Sequence, residues 1–360
     1  MATQSNISAI ANYAGDYSAV IFEQVFQNLD IAKDVDLIQN LDTPLILPKY
    51  TANDGVRPYD STITQPNGQA GTFSQRTITP RTSMKLLNII PEELRGTYLS
   101  RGLKANAKDY PLGFGQYYWS QQTKKIADEI NRNAYFAVDP QSITPYNAGT
   151  AYAVGDKILF SNGTTNDYYQ CAVITTAGQS PTSTPASWTN INNRCQGAGF
   201  GTILAAEYGS LPAANKIATG AITDTNAFDK VVLMYQSMPA EKQALGGEFK
   251  VSYNVYQKYL NALLTKFTNG TSFMQVPGSP SLYVYGSGNR WILTPSTWMG
   301  ASQRIIVTQK ENLKMGTDLL SDLNTIGNMV PHIHGFYCKF QFILAYQFVD
   351  LDLLYVNDQA

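Results

Sequence analysis

The final stretch of the sequence carries the plainest pattern. In "FYCKFQFILAYQFVDLDLLYV", Phe336, Cys338, Phe340, Phe342, Leu344, Tyr346 and Phe348 fall at every second position. That is the period of a long strand with one buried face. After Phe348 the apolar set shifts to Val349, Leu351, Leu353 and Tyr355. A one-residue shift turns every side chain to the opposite face, so the pattern predicts a bulge or break there.

Four segments show the helical period instead. "SAVIFEQVFQNLDIAKD" places Val20, Ile21, Val25, Phe26 and Leu29 on one stripe. The longest, "DYPLGFGQYYWSQQTKKIADEINRNAYF", has Trp119, Ile126, Ile130 and Ala134 as its apolar face. Lys124, Lys125, Asp128, Glu129 and Arg132 form its solvated one. "DTNAFDKVVLMYQSMP" offers Asp224 or Thr225 as N-cap, with Phe228, Val231, Val232 and Tyr235 on one side. "SYNVYQKYLNALLTKF" offers Ser252 as N-cap ahead of Val255, Tyr256, Tyr259, Leu260, Leu263, Leu264 and Phe267.

The segments between these helices read differently. "LDTPLILPKY" is extended, because Pro44 and Pro48 forbid a helix. From Thr51 to about Ser83 the chain is rich in Thr, Gly, Pro, Asn and Gln. It has too few apolar residues for a core of its own, which predicts disorder or a two-stranded projection ordered by something else. "AYAVGDKILFSNGTTNDYYQCAV" alternates like a strand pair, with Gly-Asp and Asn-Gly turns and little charge. "SPSLYVYGSGNRWILTP" carries strand and turn signals. With distant strands and no βαβ rhythm, the class is α+β.

Composition changes this picture in one respect. Charged residues make up only 15% of the 360, against ~25% in an ordinary soluble protein, which suits a surface largely covered by subunit contacts. The net charge of −1 gives no basic field for gripping nucleic acid. No uncharged apolar run reaches the ~18 residues of a membrane helix. "MATQSNISAI" lacks the features of a signal peptide, and Cys171, Cys195 and Cys338 are sparse; both point to a soluble protein of a reducing compartment. The charge is also sorted along the chain. Residues 1–48 carry six acids against Lys33 alone, whereas residues 76–108 carry seven bases against Glu92 and Glu93. Two independently solvated surfaces are one reading of this; the sharper one is that each segment lies on the other in a neighbouring subunit, with complementary charge setting the register. Arg76, Arg81 and Lys85 would then meet Asp34 and Asp36.

Catalytic chemistry is thin. His332 and His334 in "PHIHG" lack Cys, Asp or Glu partners at a metal-site spacing and read as a polar turn. "GAGFG" (Gly197 to Gly201) is not a dinucleotide fingerprint and reads as a tight backbone turn. Asp350 and Asp352 share a strand face in this reading and could pair as acid and base, but an edge-protecting charged face fits better. There is no phosphate-binding loop and no nucleophile elbow. Nothing read here makes the chain an enzyme, and no cofactor is expected.

The order of elements – acidic arm, polar projection, long helix, mixed α/β region, returning strand – resembles the major capsid protein of tailed bacteriophages. That is the Hong Kong 97-type shell fold, shared with encapsulins. "TYLSRGL", "ITDTNAFDKVVLMYQSMP" with "KVSYNVYQKYLNAL", and "NLKMGTDLLSDLNTI" carry the likeness. The resemblance implies an N-terminal arm over 1–50, an extended loop (E-loop) over 51–85 and a peripheral domain over 86–142, with a spine helix from Pro111 to Phe136. It further implies an axial domain over 195–330 and a strand over 331–360 returning to the peripheral domain. It implies a structural protein that forms hexamers and pentamers of a closed icosahedral capsid around double-stranded DNA, without sequence-specific binding. Portal and possible decoration or scaffolding proteins would be its partners, and host cytoplasm its place of assembly. The alternatives are an encapsulin-like cargo shell and a carbohydrate-binding adhesion protein.

Residues 143–194 stand outside that likeness and read as an inserted β-module. "YNAGTAYAVGDKILFSNGTTNDYYQC" with a late Trp is similar to the small carbohydrate-binding modules of bacterial chitinases. Tyr146 stands where such modules usually carry Trp. Tyr152, Tyr169 and Trp188 are the main aromatics expected, either as a small core or as contact anchors.

Overall fold

A computed structural model describes residues 18–52, 55–56, 58–62, 71–90, 112–267, 275–319, 330–333 and 335–359. "TYLSRGL", His334, most of "DLLSDLNTI" and the basic residues after Lys85 up to Lys108 lie outside the described residues.

The long strand is Gly335–Phe348, and it organises the larger core. Cys338, Phe340, Phe342, Leu344, Tyr346 and Phe348 are all buried, as the alternation requires. The strand pairs antiparallel with Arg81–Ile89 along one edge. On its other edge it meets Val330–His332 and then Leu313–Thr317, whose far side pairs parallel with Asp36–Gln39. The long helix, Leu112–Asn133, packs against this sheet through Trp119, Ile126, Ala127 and Ile130. The arm helix Ser18–Gln27 joins the same core. Its buried stripe is Ile21, Phe22 and Val25, with Leu29 just beyond, while Val20 is exposed; a face one residue round from the predicted one won, because Phe22 stacks on Phe340 with ring centres 4.3 Å apart.

The second core surrounds a six-stranded sheet in the order Leu282–Tyr283, Trp291–Pro295, Gly247–Val251, Ile305–Thr308, Tyr355–Asn357, Lys216–Ile217. Helices Ala227–Gln236 and Tyr253–Lys266 cover it through Phe228, Val231, Val255 and Tyr259. Ser252 does cap its helix, accepting from the Val255 N–H. Neither Asp224 nor Thr225 caps the other: Asn226 holds that position, and its side chain instead accepts from the Thr223 N–H at 2.8 Å. Leu264 is exposed, and Ala262 takes the buried place.

The break predicted after Phe348 is a change of sheet. A turn at Val349–Asp350 and a short 3-10 helix, Leu351–Leu353, carry the chain from the first sheet to Tyr355–Asn357 in the second. The described parts of the polar stretch form a projection: Leu45–Ala52 and Gly71–Ile78 make an antiparallel hairpin with no third strand among the described residues. Residues 81–85, read above as part of that projection, belong to the strand on the main sheet.

Gly197 to Gly201 do more than turn the chain. The last carbonyls of a helix have no partners within it. Here the N–H groups of Gly199, Phe200 and Gly201 donate to Ala137 (2.9 Å), Ala134 (3.1 Å) and Tyr135 (2.9 Å), just past the end of the long helix. The approach is so close that a Cβ on Gly199 would stand 2.5 Å from the Ala134 carbonyl oxygen. Backbone cannot give way as a flexible side chain can. Gly199→Ala is therefore expected to cost about 1–3 kcal/mol by overpacking, measured by denaturant unfolding, whereas Gly209→Ala, with open space around it, should change stability little.

Candidate functional site

Two features stand out from the body of the chain, the hairpin and the inserted module, and both are rooted in one place. Among the described residues the hairpin's outer half has no core of its own. Tyr50 and Phe73 form a cross-strand pair with ring centres 4.7 Å apart, and Phe73 is 81% exposed. Leu45 and Ile46 are exposed as well. At the root, Leu47 and Ile78 bury themselves against Leu41 and Ala345. Beside the root, the outer face of the main sheet presents Met84, Leu86 and Tyr337 to solvent.

Charges surround this root. Lys49 Nζ lies 2.6 Å from Asp350 Oδ1 and 2.5 Å from Asp352 Oδ2. Arg76 donates to Glu207 Oε2 (2.5 Å), to the Gln347 side-chain oxygen (2.8 Å) and to the Phe348 carbonyl (2.7 Å). Arg81 places its fork on both oxygens of Asp139, at 2.8 and 2.7 Å. Lys85 is half-buried against the long helix; burial lowers its pKa, Glu129 opposes that and Lys125 reinforces it.

The acidic residues expected to face these bases lie elsewhere. Asp34 accepts from Lys250 (2.9 Å), Ser296 (2.8 Å) and the Trp298 indole N–H (2.8 Å). Lys250 is almost fully buried, and it also pairs with Glu248. Asp36 pairs with Lys314 on the adjacent strand. Within one chain, then, Arg76, Arg81, Asp34 and Asp36 each have an ionic partner other than the one expected across a contact between copies. Segment charge totals could not show this, because those partners – Glu207, Asp139, Lys250 and Lys314 – come from distant parts of the sequence.

Asp350 and Asp352 do not share a strand face either. They stand in the turn between the sheets, where Lys49 bridges them, so they are not arranged as an acid–base pair. His332 ends the short strand Val330–His332 rather than standing in a turn, and its ring stacks on Tyr337 with ring centres 4.3 Å apart. Among the described residues no group of three His, Cys, Asp or Glu side chains could hold a metal.

The module has its own sheet, in the order Thr144–Pro145, Lys157–Ser161, Asn166–Cys171, Trp188–Asn190. Its core is Tyr152, Ile158, Cys171 and Trp188, with Tyr146, Phe160 and Tyr169 packed against it. Tyr152 and Trp188 are buried and meet edge to face at 5.4 Å. These aromatics face inward, so they hold the module together rather than form an open platform. Among its exposed residues the module also presents three large apolar side chains, Val154, Val173 and Ile174. They sit together because the Gly155 N–H donates to the Cys171 carbonyl and the Thr175 N–H to the Tyr152 carbonyl, so the two segments run side by side.

The chain leaves the body and returns to it at one point. The Val138 N–H donates to the Arg194 carbonyl at 2.9 Å, and the Arg194 guanidinium donates to the Phe136 carbonyl and to Gln170. Asp139 stands on the first turn beyond, where it also accepts from the Gln141 N–H. Sequence reading singled out Arg81 but missed Asp139. A "DPQS" helix-start signal was the only local clue.

Comparison with known proteins follows from this architecture. No protein-family profile and no curated protein matches the chain in sequence. Solved structures do match in fold. A chain of the satellite phage P4 procapsid, solved with its size determination protein, aligns with a TM-score of 0.50 at 10% identity, over 94% of this chain and 90% of that one. The fold is the Hong Kong 97-type shell fold. The capsid of the myovirus XM1 aligns at 0.43 and 10% identity, over 91% and 90% of the two chains. An encapsulin complex from Synechococcus elongatus aligns at 0.45 and 7%, over 91% and 86%.

Two predictions follow from the ionic contacts. Asp34→Ala leaves Lys250 buried with only Glu248 beside it, and breaking a buried pair from one side typically costs about 3–5 kcal/mol. Denaturant unfolding should show a loss of that order. For Asp139, burial pushes the pKa up, but the Arg81 hydrogen bonds, the Gln141 N–H and the Arg81 charge outweigh it and hold the carboxyl below its ordinary value. A depressed folded pKa gives stability that is complete above the unfolded value near 4 and is lost as pH falls through the folded one. Thermal melts should therefore show Asp139→Asn less stable than the wild type at pH 7, with the difference shrinking as pH falls below about 4.

Proposed function

We propose that this chain is the repeating subunit of a closed icosahedral shell, the major capsid protein of a tailed bacteriophage. The carrying observation is the shell fold combined with a hairpin that holds Phe73 and Tyr50 in open solvent. Clustered large apolar side chains on an arm without a core are the mark of a surface that another molecule covers. The exposed Met84, Leu86 and Tyr337 on the main sheet are a matching apolar face on the same subunit type. A second copy of the chain supplies both surfaces. The low overall charge supports the same reading, since a wall built of such subunits encloses double-stranded DNA without holding it tightly. Hexamers and pentamers, a portal, and assembly in the host cytoplasm with any scaffolding or decoration proteins belong to this proposal.

The boundaries given above for arm, E-loop, peripheral domain, module, axial domain and returning strand form part of the proposal. The E-loop is better placed at the hairpin, ending before Arg81. The module belongs on the outer side of the shell, where Val154, Val173 and Ile174 meet a neighbouring capsomer or a decoration protein. Burial of Tyr152 and Trp188 in the module's own core favours this over glycan binding, as does the Tyr at position 146. The likeness to chitinase-type modules is one of pattern alone.

Negative-stain microscopy and sedimentation of the purified protein should show shells. Phe73→Asp should abolish them and leave a folded subunit, because the ring touches little beyond Tyr50 within its own chain. A wild-type protein that stays monomeric at every salt concentration would sink the proposal. Shells filled with protein cargo, in cells lacking phage genes, would favour the encapsulin-like alternative. Replacing residues 143–194 with a short Gly/Ser linker, which also removes the Val138–Arg194 contact, should leave both main cores folded. Loss of folding on that deletion is the result that would remove the modular reading.

A further inference from the structure

The hairpin and the module reach the body through the same group of charges. Apolar packing at the hairpin root is small: Leu47 and Ile78 against Leu41 and Ala345, with Ile38 and Val349 at its margin. Around this pivot stand three bases of the hairpin and its exit strand: Lys49, Arg76 and Arg81. Each is gripped by acids from a different element. Asp350 and Asp352 come from the turn between the two sheets, Glu207 from the last turn of helix Phe200–Glu207, and Asp139 from the turn that leads into the module. All three basic side chains are largely shielded, at 19–23% exposure. Pairs screened from water in this way hold direction better than exposed ones, and the Arg76 and Arg81 forks fix angle as well as distance.

Proline flanks the hairpin on both sides, Pro44 before its first strand and Pro80 between its second strand and Arg81. The two strands bond to each other and to no third strand among the described residues. A stiff two-stranded rod joined to the body by short connections can therefore swing as a unit without breaking its own ladder.

We propose that the hairpin is a hinged arm whose angle is set by this charge clasp, and that the module, rooted at Asp139 in the same clasp, is mechanically coupled to it. Releasing Arg81 from Asp139 frees the strand that follows the hairpin and the first turn of the module together. The packing at this junction supports the coupling. The stem of Arg81 also lies beside Gly197, where the chain has just returned from the module, with its Cγ 3.6 Å from the place a Cβ would occupy. The inference concerns a single subunit and does not depend on the shell reading.

Pulsed electron spin distance measurements on the full-length chain test it, with labelled protein diluted in unlabelled protein so that only distances within one chain are read. Cys171 and Cys338 are buried and Cys195 is replaced by Ser, leaving the introduced cysteines as the reactive ones. Thr72→Cys with Glu241→Cys reports hairpin against body, Asn190→Cys with Glu241→Cys reports module against body, and Lys339→Cys with Glu241→Cys reports the body alone. Wild type should give one narrow distance for each pair. Glu207→Gln with Asp350→Asn and Asp352→Asn should lose the narrow hairpin distance and keep the body distance. Asp139→Asn should lose both the hairpin and the module distances. A narrow hairpin distance in the triple variant would show that apolar contact and the hydrogen bonds to Gln347 and Phe348 set the angle, and would overturn the clasp. Broadening of the body pair as well would overturn it too, since the charges would then hold the whole subunit. If Asp139→Asn loosens the module alone, the coupling is wrong.

Discussion

The end of the long helix decides where much of this chain can go. The carbonyls of Ala134, Tyr135 and Ala137, just past that end, need donors. The backbone of Gly199 to Gly201 supplies them, and only glycine lets two backbones come that close. Helix Phe200–Glu207 is thereby fixed end-on to the long helix, and Glu207, at its far end, is carried to the hairpin root. The same contact brings Val138 and Arg194 together, so an excursion between them opens and closes at one point. An inserted module is tolerated there because its two ends are already neighbours, and the cost of closing the loop falls on a contact the body makes anyway.

Much of this was legible in the sequence, for physical reasons that differ from element to element. The alternation from Phe336 to Phe348 and the stripe from Trp119 to Ala134 are long, and burial on one face leaves little freedom in phase. The arm helix shows the limit of short patterns: Val20 and Phe22 are both apolar, and only the partner across the interface, Phe340, decides which is inside. The shift after Phe348 marked a discontinuity correctly but could not say that the strand changes sheets. That depends on Tyr355 finding Val307, a partner nearly fifty residues away.

The candidate contacts were less legible because ion pairs leave no periodic trace. Arg76, Arg81, Asp34 and Asp36 were rightly singled out as charges needing an explanation in a chain with so few. Their partners within the chain went unread because opposite totals in two segments say nothing of which side chains meet. Glu207 and Asp139 occur alone among uncharged neighbours, and only the tertiary fold brings them to the hairpin root. The module's aromatics pose the converse problem. Tyr152, Tyr169 and Trp188 have the spacing of a small sheet whether they face inward or outward, and the register of four short strands settles the matter.

The passage of the chain from one sheet to the other bears on how it folds. Gly335–Phe348 completes the first core, and Tyr355–Asn357 joins Ile305–Thr308 to Lys216–Ile217 in the second. Both strands come after every segment they pair with. Neither core can close before they are in place, since the contacts that close it are long in sequence. One short stretch thus bolts two separate sheets together, and a pull that strips it from the first draws on the second as well.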